Sequence, residues 1–146
     1  MKLPEELQFI ANARMPQHAT DARIDGQTCV ITGATSGVGH AAALRLARGG
    51  ARLVVLARSA ERAAALQREL AAAGAPPADL ILADLARLSE VRAAAATILE
   101  RCPRIDLLIN SAGVHHTRRT LTPEGYETVF CVNHLAPFLL TRLLLD

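Results

Sequence analysis

Four short apolar runs, "TCVIT" (Thr28 to Thr32), "RLVVL" (Arg52 to Leu56), "DLILA" (Asp79 to Ala83) and "IDLLI" (Ile105 to Ile109), recur about every 25 residues and leave few folds open. Each is rich in Val, Ile and Leu and nearly continuous in hydrophobicity, as strands buried on both faces are. Between them lie helical patterns: Val38, Ala42, Leu46 and Gly49 form one stripe, Ala63, Leu66, Leu70 and Ala73 a second, and Val91, Ala95, Ile98 and Cys102 a third. Ser59 and Ser89 stand where N-caps belong, Gly74 stands at a C-cap before Pro76 and Pro77, and Pro103 follows the third helix. Strand and helix therefore alternate, and each connection is long enough for a right-handed helical crossover. The expected fold class is α/β, a doubly wound parallel sheet with its ligand site beyond the carboxyl ends of the strands.

Composition narrows the function. With 146 residues, 51% hydrophobic content and a formal net charge of +2, the chain has the make-up of one globular domain. Its arginines are scattered among acids, so no basic stripe recommends nucleic acid or an anionic bilayer. No uninterrupted apolar stretch reaches the roughly 18 residues of a membrane span, and no secretory leader is evident. Cys29, Cys102 and Cys131 are odd in number, far apart and set in apolar segments, which suits reduced buried thiols and a cytoplasmic location. Residues 1–25, with "PEELQFIANAR" read as a short helix, form an N-terminal extension that holds no identifiable chemistry.

The strand ends carry that chemistry. After the first comes "TGATSGVG", Thr32, Gly33, Ala34, Thr35, Ser36, Gly37, Val38 and Gly39, three glycines where a strand turns into a helix. Glycine lets a backbone approach a ligand closely, and the helix N-terminus behind it offers free N–H groups and a positive dipole end to a pyrophosphate. The alternative is a tight βα turn with no ligand. At the second strand end stands Arg58, where an acidic side chain would bind ribose hydroxyls and a guanidinium can instead pair with a 2′-phosphate; the alternative is a solvated arginine at a helix start. Asp84 follows the third strand and "NSAG", Asn110 to Gly113, the fourth.

These residues resemble the short-chain dehydrogenases/reductases from about Asp25 onwards. That family's TGxxxGxG motif holds the cofactor pyrophosphate and is matched by Thr32, Gly33, Gly37 and Gly39, with Ser36 and Val38 inside the loop. Its Asp-Leu after the third strand, at the adenine, is matched by Asp84 and Leu85. Its NNAG is matched by Asn110, Ala112 and Gly113, with Ser111 in place of the second Asn. The segment "LTPEGYETVFCVNHLAPFLLTRLLLD" is similar to the retinol dehydrogenase and WW-domain oxidoreductase branch, whose preference for NADP(H) over NAD(H) agrees with Arg58. The resemblance implies a Rossmann-like sheet over residues 26–146, truncated after about four strands and the following helix, that binds a nicotinamide dinucleotide.

In that last segment Pro137 has no N–H for the carbonyl of Asn133 four residues back, so the carbonyl is free for water. By resemblance, Asn133 holds a water of a proton relay; otherwise Pro137 merely kinks a packed helix and the Asn133 amide pairs with the sheet. His134 is assigned to packing, His115 and His116 to a solvated loop, and no residues have metal-ligand spacing. The family's proton donor is a Tyr with a Lys four residues on, but the single tyrosine here, Tyr126, precedes Phe130 at that spacing, and the single lysine is Lys2. Tyr126 is read as a helix residue packed near the sheet. The expectation is an NADP(H)-dependent oxidoreductase of alcohol or carbonyl substrates, present as its cofactor-binding half and inactive alone. The alternative is a noncatalytic nucleotide-binding or interaction module that associates with a complete homologue. Self-association through the uncovered sheet edge and the last helix is expected.

Overall fold

The computed structural model describes residues 22–145 together with Pro4; beyond Pro4, the stretch read as a short N-terminal helix lies outside the described residues. Four strands, β1 (Thr28–Thr32), β2 (Arg52–Ala57), β3 (Asp79–Leu82) and β4 (Leu107–Asn110), form one parallel sheet in the order β3-β2-β1-β4. Helices α1 (Gly37–Arg48) and α2 (Ala60–Ala72) connect β1 to β2 and β2 to β3. Helix α3 (Leu88–Arg101) leads into β4. Strand order reverses at β1, so the carboxyl ends of β1 and β4 border the crevice in which such sheets take ligands.

Alternation along the strands fills two cores. Cys29, Ile31, Leu53 and Val55 point to one face, where Ala43 and Ala47 of α1 and Leu66 and Leu70 of α2 cover them. Val30, Val54, Leu56 and Ile81 point to the other, beneath Val91, Ala95 and Ile98 of α3 and Leu140 of a last helix. Two-sided burial holds for β1 and β2 but not, as expected from their apolar runs, for β3 and β4, whose edge positions leave Leu82 and Leu107 exposed. Strand β4 also begins two residues later than the apolar run. Asp106 turns its carboxylate onto the Thr28 N–H at 2.9 Å and is ion-paired to Arg104.

The helix ends follow their punctuation with one exception. Ser59 caps α2 by accepting from the Arg62 N–H. At its other end Gly74 (φ +68°) lets the Gly74 and Ala75 amides return to the carbonyls of Ala71 and Leu70, a Schellman closure that leaves Ala73 exposed rather than in the buried stripe. Ser89 is not a cap. Helix α3 begins one residue earlier, and the Leu88 and Ser89 amides and the Ser89 hydroxyl all donate to the carboxylate of Glu124, 35 or 36 residues away.

Glu124 sits at the tip of a hairpin in which Leu121 bridges Glu127 and the Thr122 amide donates to the Tyr126 carbonyl. Pro123 and Gly125 (φ +86°) close its turn. Tyr126 therefore lies in the hairpin, 43% exposed, and not in a helix against the sheet. The Glu127 carboxylate then accepts from the Val129 and Phe130 amides and starts the helical rod α4 (Thr128–Phe130), a π-helical turn (Cys131–Leu135) and α5 (Ala136–Leu144). The carboxyls of both Glu124 and Glu127 are held below the usual range, the first chiefly by its bonds to Ser89 and the second by the Phe130 and Val129 amides.

Leu66, 1% exposed, anchors the α2 side of the first core, whereas Leu99 of α3 is 48% exposed. Leu66→Ala is expected to lower stability by about 2–5 kcal/mol in urea unfolding, and Leu99→Ala by no more than about 0.5 kcal/mol. Equal losses would contradict this assignment of the core.

Candidate functional site

The loop between β1 and α1 is shaped by what its glycines lack. A Cβ on Gly33 (φ +71°) would lie 2.6 Å from the Cα of Ala112, and one on Gly39 would strike the Gly33 carbonyl oxygen and lie 2.9 Å from the Ser111 hydroxyl. Only hydrogen atoms fit at both positions, so the first and fourth strand ends close on each other backbone to backbone. Thr32 fixes the junction by accepting the Ala112 N–H at its own hydroxyl, 3.1 Å away. The sequence expectation that Val38 lies on the buried stripe of α1 is overturned. The buried positions are Gly39, Ala43 and Ala47, and Val38 is 83% exposed at the mouth of a cleft. The helix must bring its side-chain-free Gly39 against the sheet, which turns its neighbour outward.

The first turn of α1 faces this cleft without an acidic residue, and Ser36, at the N-cap, makes no side-chain cap. Its leading amides have no partner within the helix, so a positive dipole end and free donors point at the opening. The cleft, about 690 Å³ in volume, is bordered by Gly33, Ser36, Gly37, Val38 and Gly39 on this side. Arg58 stands across it at the end of β2, exposed and without an ion pair to any described residue. Asp84 and Leu85 form a third wall, and Ala112 and Gly113 a fourth.

Ten of the expected site residues are thus gathered on one cleft, and the others stand beside it. Thr32 is buried behind the loop. Asn110 turns away, its amide donating to the Thr141 hydroxyl of α5 at 3.1 Å, so it braces β4 against the last helix while Ser111 takes the place on the cleft. Asn133 lies next to Gly113, and its amide clasps the backbone of Val114, accepting the N–H at 2.8 Å and donating to the carbonyl at 2.9 Å. The amide pairs with the loop after β4, neither free nor turned to the strands. Thr35, Ser59, Glu61, Arg62 and Ser111 also line the cleft and were not assigned to the site from the sequence. The spacing of Arg62, one helical turn beyond Arg58, was the available signal.

Around Asn133 the backbone is widened. The Ala136 N–H donates to the Cys131 carbonyl five residues back, and Pro137, lacking an N–H, follows within the same turn. His134 stacks on Phe130 with ring centres 5.1 Å apart, both on the exposed side, while His116 meets the Thr120 hydroxyl in the solvated loop. The three cysteines are buried and form no disulfide, and burial pushes each thiol up. Among the described residues no three His, Cys, Asp or Glu side chains gather as a metal site, and no helix is long and apolar enough to cross a membrane.

Comparison with known proteins locates this arrangement. The family model described as short chain dehydrogenase matches residues 27–146. A Streptomyces sp. (strain C5) protein, DnrU, named for daunorubicin C-13 ketoreduction, is 45% identical over 130 residues, covering 88% of this chain and 45% of its own. Mouse (Mus musculus) retinol dehydrogenase 14 is 43% identical over 145 residues, covering 92% of this chain and 43% of its own. The chain therefore spans less than half the length of these curated relatives. The crystal structure of a metagenomic short-chain oxidoreductase in complex with NADP superposes with a TM-score of 0.73 at 37% identity, over 82% of this chain and 55% of that one.

Because a side chain at Gly39 has backbone in its way, Gly39→Ala is expected to cost about 1–3 kcal/mol. Gly37 has open space around its Cβ position but a φ of +56°, and Gly37→Ala is expected to cost about 1–2 kcal/mol for the left-handed conformation alone. Their amide spectra distinguish the two: Gly39→Ala should shift the resonances of Ser111 and Ala112 and Gly37→Ala should not. Unshifted Ser111 and Ala112 in Gly39→Ala would contradict the close junction.

Proposed function

This chain belongs to the short-chain dehydrogenase family, and on that premise we propose that it is the cofactor-binding part of an NADP(H)-dependent oxidoreductase acting between an alcohol and a carbonyl compound. One observation carries the reading: a glycine-made opening at an uncapped, acid-free helix N-terminus faces, across a single cleft, a guanidinium with no ion pair among the described residues. The residues fit a dinucleotide. Backbone amides of Ser36 to Gly39 would hold the pyrophosphate, Arg58 the 2′-phosphate, Asp84 and Leu85 the adenosine side, and Ala112 and Gly113 the nicotinamide side. Thr32 and Asn110 act behind this surface, the first by locking the loop to Ala112 and the second by bracing β4. A bound nicotinamide cofactor supplies hydride transfer. The chain's own task is to hold and orient it.

NADP(H) is favoured over NAD(H) because Arg58 stands where an acid would serve ribose hydroxyls, with Arg62 one turn on. Solved relatives are named as complexes with NADP, NADPH and NADH, so the choice rests on the two guanidiniums. Glu61 on that rim works against it, and the two guanidiniums outnumber it. For proton chemistry the 146 residues contain no Tyr-x-x-x-Lys pair, and Tyr126 sits in the hairpin, so we read the chain as inactive alone. Asn133 would position a relay water through its backbone carbonyl, which Pro137 leaves without the usual donor, while its side-chain amide holds Val114. The buried thiols suit a reducing, cytoplasmic setting, and the edge of β4, unpaired among the described residues, with the exposed Phe138 of α5 suits self-association.

Titration of the chain with NADPH and NADH tests the reading. Arg58→Ala is expected to weaken NADPH on the order of tenfold or more, the scale of a lost charge-assisted contact, and NADH less than about twofold. An equal effect on both, or none on either, would contradict the assigned role of Arg58.

A further inference from the structure

Resting on that reading of the cleft, we propose that Glu124 is a positioning residue for its adenosine wall, acting from a hairpin that does not itself line the site. The wall is short. Only Leu85, Ala86 and Arg87 separate Asp84 from the first residue of α3, so the place of Asp84 and Leu85 is set by how that helix begins. The helix has no cap of its own: Arg87, at the N-cap, contributes no side-chain bond. Its leading donors go instead to one carboxylate, with Leu88 N–H at 2.9 Å from Oε2 of Glu124, Ser89 N–H at 3.1 Å from Oε1 and the Ser89 hydroxyl at 2.6 Å from Oε1. A charge on these amides at a positive dipole end does what a local Asp or Ser would do, but it ties the helix start to a remote segment.

The hairpin is built to hold that charge in place. Thr122 is buried and caps the turn through its hydroxyl to the Tyr126 amide, and the Gly125 amide closes the turn onto the Thr122 carbonyl. The hairpin then runs into the Glu127-capped rod that carries Cys131, whose thiol reaches the Leu85 carbonyl at 3.6 Å. Glu90 of α3 completes the frame by accepting the Asp84 N–H at 2.8 Å, and Asp84 turns one of its oxygens onto the Ala86 N–H. The wall is thus held from the hairpin, the rod and its own helix. Of these ties, Glu124 alone brings a charge from another element to the helix start.

Hydrogen exchange and fragment binding test this on the chain as it stands. Glu124→Gln should speed exchange of the Leu88 and Ser89 amides and of the Ala83 to Arg87 segment by roughly threefold to fivefold, the scale of a lost charge at a helix terminus. Ser89→Ala should do so to a smaller extent. Glu100→Gln removes an equal charge at the far end of α3 and should leave that segment unchanged. Adenosine 2′,5′-bisphosphate should bind Glu124→Gln more weakly by a similar factor, with nicotinamide mononucleotide unaffected. Unchanged exchange in Ala83 to Ser89, or the same change in both glutamate variants, overturns the proposal whether or not any nucleotide binds. Failure of the wild-type chain to bind the bisphosphate would instead count against the cofactor reading, with the exchange data still deciding the role of Glu124.

Discussion

Backbone contact between the first and fourth strand ends is the constraint on which the rest of this structure depends. Gly33, Gly39 and Ala112 approach so closely that no Cβ fits at either glycine, and the Thr32 hydroxyl bonds the Ala112 amide across the junction. That contact fixes where α1 starts, and so where its unpartnered amides point. It also forces the helix to bury a glycine, which leaves Val38 at the cleft mouth. The sheet order puts these two strand ends side by side, and the cleft follows from both facts together.

Much of this was legible in the residues because the information is local. Apolar runs marked β1 and β2 to within a residue, Ser59 and Gly74 marked the ends of α2, and the glycine spacing marked the phosphate loop. Features that depend on distant partners were not legible. Ser89 has the side chain of a cap, but its own amide and hydroxyl both bond a carboxylate 35 positions away, inside the first turn of α3. Asn110 matches a motif by position, yet its amide meets Thr141, so the neighbouring Ser111 faces the cleft. The Gln67 amide, which donates to the Ala78 carbonyl and accepts its N–H, stitches α2 to the start of β3 with no signal in the local pattern. Edge exposure of β3 and β4 likewise depends on sheet order, which hydrophobicity does not encode.

The rod at the end of the chain shows how a single missing donor spreads. Pro137 cannot bond the Asn133 carbonyl, the turn before it widens to a five-residue spacing, and Asn133 is left able to clasp Val114 with both ends of its amide. The loop after β4 is therefore held by the rod, the rod by Glu127, and the start of α3 by Glu124 from the same hairpin. Two walls of the cleft share one support. Membership of the short-chain dehydrogenase family explains the glycine loop; this shared support lies outside that loop.

Amide chemical-shift mapping of the labelled chain with NADP⁺ tests the central claim most directly. The account predicts the largest perturbations at Gly33 to Gly39, accompanied by Arg58, Asp84 and Leu85, with the residues of β3's outer edge unmoved. Saturable binding that leaves Gly33 to Gly39 undisturbed, or no perturbation at millimolar nucleotide in a folded chain, would contradict it.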